Sequence, residues 1–206
     1  MSSSLPLIAL TGYSRSGKDT AADALVEIGY QRRAFGDIIK AMVDDADYKS
    51  FREFHEWLLE TGRPQPRISA IAYGWSLIKV CGVSPYTQED DTKIHLRPVL
   101  EDYGIWKYEQ VTDRFFSTLP KLCVNSRLCR AAEGKRWRQE GGILIEIIRP
   151  GNKAHTEVEA GWMVELTEAG LIDVVLYNDG TQAQLQKAVQ QVARRELTGV
   201  VRASSV

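Results

Sequence analysis

The chain has no apolar run approaching the roughly 18 residues that a membrane-crossing helix needs, so no membrane partner is expected. Its start, Met1 to Pro6, lacks the charged-then-apolar order of a secretory signal, and a soluble cytoplasmic protein is the expectation. Cysteine is scarce: Cys81, Cys123 and Cys129 form no CxxC pair and are odd in number. That argues against a zinc site and a disulfide framework, leaving three reduced, mostly buried thiols. Neither sign of charge dominates, with 26 Lys and Arg against 27 Asp and Glu. Long-range attraction to nucleic acid or an acidic membrane is therefore unsupported. Internal repeats and low-complexity segments are also missing, and only the ends, MSSS and ASSV, read as unstructured.

The 206 residues are 44% hydrophobic, enough for a proper core without disulfides or metals. The length suits one domain, or one domain with an inserted segment and a lid. Leu7 to Leu10 is a short apolar run ending at Thr11 and Gly12, the pattern of a buried strand entering a tight turn. Ala21, Ala24, Leu25 and Ile28 then recur at helical spacing, with Gly29 as the stop. Tyr30 to Phe35 reads as a second strand and Asp37 to Val43 as the start of a helix. Phe51, Phe54 and Leu58 stripe another helix, ending near Gly62 and Pro64. Residues 62 to 92, punctuated by Pro64, Pro66, Gly74, Gly82 and Pro85, read as an irregular or short-helical insertion. Pro98 to Leu119 reads as helix interrupted at Gly104. Lys121 to Asn125, Ile143 to Ile148 and Asp173 to Tyr177 are strand-like, with helices at Arg127 to Gln139 and Thr181 to Leu197. Such alternation predicts an α/β protein with a parallel sheet covered on both faces.

The strongest motif is Gly12-Tyr-Ser14-Arg15-Ser16-Gly17-Lys18-Asp19-Thr20. It fits G-x-x-x-x-G-K-[ST] except that Asp19 stands at the last position and Thr20 follows. Gly12 and Gly17 permit backbone angles that let successive N–H groups converge on phosphate oxygens. Lys18 adds a point charge for the β- and γ-phosphates, and the following helix aims its N-terminus at the same anion. The position between strand and helix is the context this mechanism requires. Asp19 can hold Mg²⁺ directly or through water; it can equally do no more than favour the helix dipole.

SGKDT after a short strand, followed by Phe35-Gly-Asp37-Ile-Ile-Lys40, resembles the phage-type deoxynucleoside monophosphate kinases. The resemblance continues through Arg97-Pro-Val-Leu-Glu-Asp-Tyr-Gly104-Ile-Trp106, Asn125-Ser-Arg127, Gly141-Gly142 and Ile147-Ile-Arg149-Pro-Gly151. His155-Thr-Glu157 and Tyr177-Asn178-Asp179-Gly180 complete it, leaving only about residues 41 to 92 uncovered. It implies a three-layer P-loop kinase fold with an acceptor-binding insertion and a lid, all one domain over residues 1–206. The acceptor-binding helical region would span 36–118 and the lid 149–162. ATP and Mg²⁺ would bind at Gly12, Ser14, Arg15, Ser16, Gly17, Lys18, Asp19 and Thr20, with Asp19 on the metal. Asp37, Lys40, Arg97, Trp106 and Arg127 would bind a small nucleotide acceptor. Lys18, Arg127 and Arg149 would carry catalysis, with Lys153 and His155 further along the lid. Two positions depart from the family: Asn125 stands where an aspartate is usual, and Ala131 where an acidic residue is usual.

Plainer roles remain open for these residues. Asp37 can be a helix cap; Lys40, Arg97 and Arg127 can be solvated charges; Arg149-Pro150-Gly151 can be an ordinary turn. Trp57, Tyr73, Trp75, Tyr86 and Trp106 can supply a base-stacking platform or simply pack the core. Lys135-Arg-Trp-Arg138 suits a solvated helix face. A hydroxymethylated pyrimidine in phage DNA, another small phosphorylated acceptor such as phosphomevalonate, a non-enzymatic nucleotide switch and a simple hydrolase all stay open. Homodimers occur among such kinases, but no interface signature is legible here. The localisation implied is cytoplasmic, in the host if the chain is viral.

Overall fold

Why the first strand is so short and apolar becomes clear from its neighbours. The computed structural model describes residues 5–195 and 199–206. β1 (Ile8–Thr11) is buried along its whole length. It lies between two parallel partners, β3 (Cys123–Asn125) and β4 (Ile143–Ile148). A central strand of a parallel sheet has no solvated face, so a polar alternation is ruled out. β2 (Gln31–Arg33) flanks β3, while β5 (Val174–Tyr177) and β6 (Gly199–Arg202) extend the sheet beyond β4. The order is β2-β3-β1-β4-β5-β6, all parallel. The expected α/β class, a parallel sheet flanked by helices, is the observed one.

On one face α1 (Lys18–Glu27) and α9 (Gln182–Ala193) bring Leu25, Leu185 and Val189 against Ile8, Leu10, Ile145 and Ile147. Each such fully buried aliphatic chain contributes about 1.5–3 kcal/mol. Side chains alternate along a strand, so Ala9, Thr11 and Leu144 face the other way, toward α7 (Ala131–Gln139) and α8 (Glu157–Glu168). The Thr11 hydroxyl donates to Met163 Sδ at 3.3 Å.

Phe35–Thr118 forms a second compact unit, which is helical. It contains α2 (Phe35–Asp45), α3 (Tyr48–Glu60), α4 (Gln65–Lys79), α5 (Asp90–Trp106) and α6 (Tyr108–Ser117). Its core joins Phe54, Leu58, Ile71, Trp75, Val99 and Tyr103, with Phe54 edge-on to Tyr103 at 5.3 Å. Asp102 is buried at 2% exposure and holds two guanidiniums, Arg63 and Arg67, each at 2.7 Å.

Several expectations are corrected. Residues 65–79 form a continuous helix, not an irregular insertion: Pro66 sits in its first turn, where the missing N–H costs nothing. Gly74 lies at its buried seam. α5 runs through Pro98 and Gly104. The absent Cβ of Gly104 admits Ile39 of α2, whose Cδ1 would lie 2.6 Å from it. Cys81 is exposed, so the thiols are not mostly buried; burial pushes the Cys123 thiol up to about 12. The end is ordered: β6 was not foreseen, Ala203 is buried, and Ser204 N–H donates to Asp179 Oδ1 at 3.0 Å. Leu197 and the MSSS start lie outside the described residues. No described helix is long and apolar enough to cross a membrane.

Removing the Asp102 carboxylate strands two cations that remain about a third solvated. Asp102→Ala should destabilise the protein by about 2–3 kcal/mol, below the roughly 3–5 of a fully buried pair. Urea unfolding measures this, and Asp102→Asn should recover part of it.

Candidate active site

The carboxyl ends of β1, β3, β4 and β5 lie on the same edge of the sheet, because every strand runs the same way. The connection after β1 leads to β2 on one side and that after β4 to β5 on the other, so the ends of these two neighbouring strands form the kind of switch point at which open α/β sheets bind ligands. The loop after β1 is built on a close approach. A Cβ on Gly12, at φ +125°, would stand 2.3 Å from the Ile147 carbonyl oxygen of β4. Gly17 caps α1 in the left-handed region, and Arg15 takes the same region at φ 63°. That is an uncommon position for a side chain with a Cβ, costing on the order of 1 kcal/mol. Asn178, just past β5, secures the loop from outside by donating to Ser16 O at 2.9 Å.

Lys18 folds back over this loop. Its ammonium donates to Gly12 O at 2.8 Å and Tyr13 O at 2.7 Å. Burial lowers its pKa below the ordinary lysine value, and the Arg127 charge pushes the same way, against the opposing pull of Cys129, Glu159 and Asp19. A polyphosphate would relieve both effects. Two buried polar atoms beside it have no hydrogen-bond partner: Ser16 Oγ and Asn125 Nδ2. Such orphans are rare in folded proteins.

Asn125 Oδ1 accepts the Arg127 N–H at 3.0 Å, fixing the turn from which the exposed Arg127 side chain departs. Burial pushes the Cys129 thiol up, although Arg127 stands close enough to oppose it. Arg149 leaves the end of β4 and lines a cavity of about 540 Å³ with Gly17, Thr20, Asn178, Gln182 and Leu185. The cavity adjoins the loop and mixes polar walls with the apolar Leu185.

Asp19 is exposed in the first turn of α1 and pairs with Arg32, which also reaches Asp23 at 3.2 Å. The donor that Asp19 offers there is a carboxylate oxygen. It fits a magnesium ion held mainly by substrate phosphates and water. Among the described residues no group of three or more His, Cys, Asp or Glu is assembled for a metal by the protein alone.

In the helical unit, Asp37 is exposed in the first turn of α2. Lys40 stands one turn on, its ammonium 5.5 Å from the Tyr86 ring centre. The Tyr86 hydroxyl donates weakly to Asp37 O at 3.4 Å. Arg97 is exposed on α5, its guanidinium 4.0 Å from the Glu101 carboxylate. Trp106 is engaged on its ring, stacked with Phe54 at 5.3 Å and with the Lys107 ammonium 3.7 Å from its centre. It packs within the unit, whereas Tyr86 presents an accessible ring beside Lys40.

Two residues at the loop were not among the expected site residues. Asn178 belonged to a quoted motif without a role. Glu159 reads from sequence only as the acid of a Thr156-x-x-Glu159 helix start, yet its Oε1 accepts the Ser14 N–H at 2.7 Å and the Ser14 hydroxyl at 2.9 Å.

No protein-family model matches the chain, and no curated protein does. Among solved structures, the chain is similar to "Dephospho-CoA kinase from Campylobacter jejuni", with a TM-score of 0.51 and 13% identity. That match covers 93% of this chain and 98% of the other. "Crystal structure of TT1252 from Thermus thermophilus" matches with a TM-score of 0.43 and 20% identity, covering 95% and 100%. The fold is thus one that a dephospho-CoA kinase also has.

Gly12→Ala should destabilise the protein by more than the roughly 1 kcal/mol of a left-handed alanine alone, because the Ile147 carbonyl must also move. Urea unfolding beside Gly29→Ala, at φ +101° with nothing within 4 Å of the added Cβ, separates the two contributions.

Proposed function

We propose that the chain is an ATP-dependent kinase that moves the γ-phosphoryl group to a deoxynucleoside monophosphate, giving a deoxynucleoside diphosphate and ADP. The observation that carries this reading is the glycine-built loop, whose half-buried Lys18 is satisfied only by loop carbonyls and whose Ser16 hydroxyl has no partner. The adjoining cavity has the size of a nucleoside site. The dephospho-CoA kinase likeness supports the same fold-level reading. The deoxynucleotide acceptor rests on the motif resemblance.

Loop N–H groups and Lys18 would hold the β- and γ-phosphates, while Arg149 and Asn178 border the nucleoside. Phosphoryl transfer through a loose transition state asks for positioning and charge neutralisation more than covalent chemistry. Lys18, Arg127 and Arg149 would supply three cations for that purpose. Mg²⁺, held through Asp19 and Thr20, would neutralise phosphate charge when bound; Asp19 would then exchange Arg32 for the metal. An acceptor phosphate oxygen is already ionised at neutral pH, so no general base is required. The segment 149–162 would act as the lid that keeps water from the phosphates. The helical region 36–118 would bind the acceptor through Asp37, Lys40 and Arg97, with the Tyr86 ring against its base.

Coupled ADP release with Mg·ATP and each deoxynucleoside monophosphate in turn tests the proposal. Release should depend on the acceptor; ATP consumption indifferent to every acceptor would replace the kinase with a hydrolase. Lys18→Ala should lower kcat by roughly 10²–10³-fold with an unchanged circular dichroism spectrum. Arg97→Ala should raise the acceptor KM roughly tenfold or more while leaving that of ATP nearly unchanged, and equal changes would remove Arg97 from the acceptor site.

A further inference from the structure

Thr156-x-x-Glu159 opens α8 in the pattern of a reciprocal helix cap. Half of that cap is made: Thr156 Oγ1 accepts the Glu159 N–H at 3.1 Å. The return bond is diverted. Glu159 Oε2 accepts the N–H of His155, one residue early, at 2.7 Å. Its Oε1 takes both donors of Ser14 in the phosphate loop. Asn152 seals the same junction from the other side, its amide donating to Ser14 O at 2.6 Å. A carboxylate therefore sits on a loop N–H, in reach of the Lys18 charge.

We infer that Glu159 holds an anion place of the nucleotide-free loop, and that ATP binds by displacing it, so this carboxylate weakens and sets the affinity for nucleotide. The inference rests on the phosphate-loop part of the proposed function. Three observations carry it. The Ser14 N–H cannot serve a carboxylate and a phosphate oxygen at full strength together. Two anions sharing one set of donors repel one another. Glu159 also has somewhere to go: the Thr156 N–H, the partner a capping box would give it, lies one residue from the N–H it now uses. Partial burial would push the carboxyl up, but the His155 and Ser14 bonds and Lys18 outweigh this and hold it below the usual range. The contact is thus an ionised one at neutral pH. It also ties the segment 149–162 to the loop, together with the Asn152 bond to Ser14 O.

The experiment is calorimetric titration of the full chain with Mg·ATP, Mg·ADP and adenosine, for the wild type and Glu159→Gln. The glutamine keeps shape and one acceptor oxygen but loses the charge. The Kd for ATP should fall roughly tenfold at low salt, less at high salt, less for ADP, and not for adenosine. An unchanged or weaker ATP affinity in a variant of wild-type melting temperature overturns the inference. A second measurement uses the wild type alone. Amide hydrogen exchange at saturating ATP should show Ser14 still protected and His155 losing protection as the carboxylate leaves. Retained protection at His155 overturns the inference without a variant. Wild type that binds ATP indifferently to Glu159 sinks only this inference. Failure of both proteins to bind ATP sinks the phosphate-loop reading with it.

Discussion

A parallel strand buried on both faces and on both edges can leave the sheet only at its end, and what leaves the end of β1 is a chain that must turn within van der Waals contact of β4. The Ile147 carbonyl occupies the space where any Cβ at position 12 would go. From that constraint the rest of the site follows. The turn brings loop N–H groups together ahead of α1, and Lys18 folds back to donate to two loop carbonyls. Asn178 locks the loop from β5. A concentration of donors in a partly dry site is stable only with acceptors, and this molecule supplies some of its own.

The internal acceptors come from two sources with different consequences. Backbone carbonyls of Gly12 and Tyr13 satisfy Lys18 without adding charge. Glu159 satisfies both donors of Ser14 with a negative charge. The first arrangement is neutral at its acceptors; the second brings a carboxylate onto the loop itself. The same carboxylate also organises the start of α8, so its position links helix entry to loop occupancy.

The helical unit solves a different problem. Its core is aromatic, and α5 carries both a proline and a buried carboxylate through its length. Asp102 is tolerated there because two guanidiniums reach it at hydrogen-bonding distance while keeping contact with water. Packing around Val99 and Tyr103 holds the helix across Pro98, where the helical bond to Ile94 is lost.

Strands β1 to β5, several of the helices between them and the glycine loop after β1 were legible because they are written in short-range patterns: apolar runs, helical spacing and glycines at fixed intervals; α8 was not read. The helix at residues 65–79 was not legible, since its proline and glycine look like breakers until Pro66 falls in a first turn and Gly74 at a seam. β6 was missed because an edge strand of four residues with one buried side chain carries little pattern. The ring neighbours of Trp106, Phe54 and Lys107, were not visible in the sequence. Glu159 is the clearest case. Residue types three apart determined a helix start, but a partner 145 positions away decided where the carboxylate points. Local periodicity determines which elements form, whereas the destination of a charged side chain depends on donors brought near it only by folding.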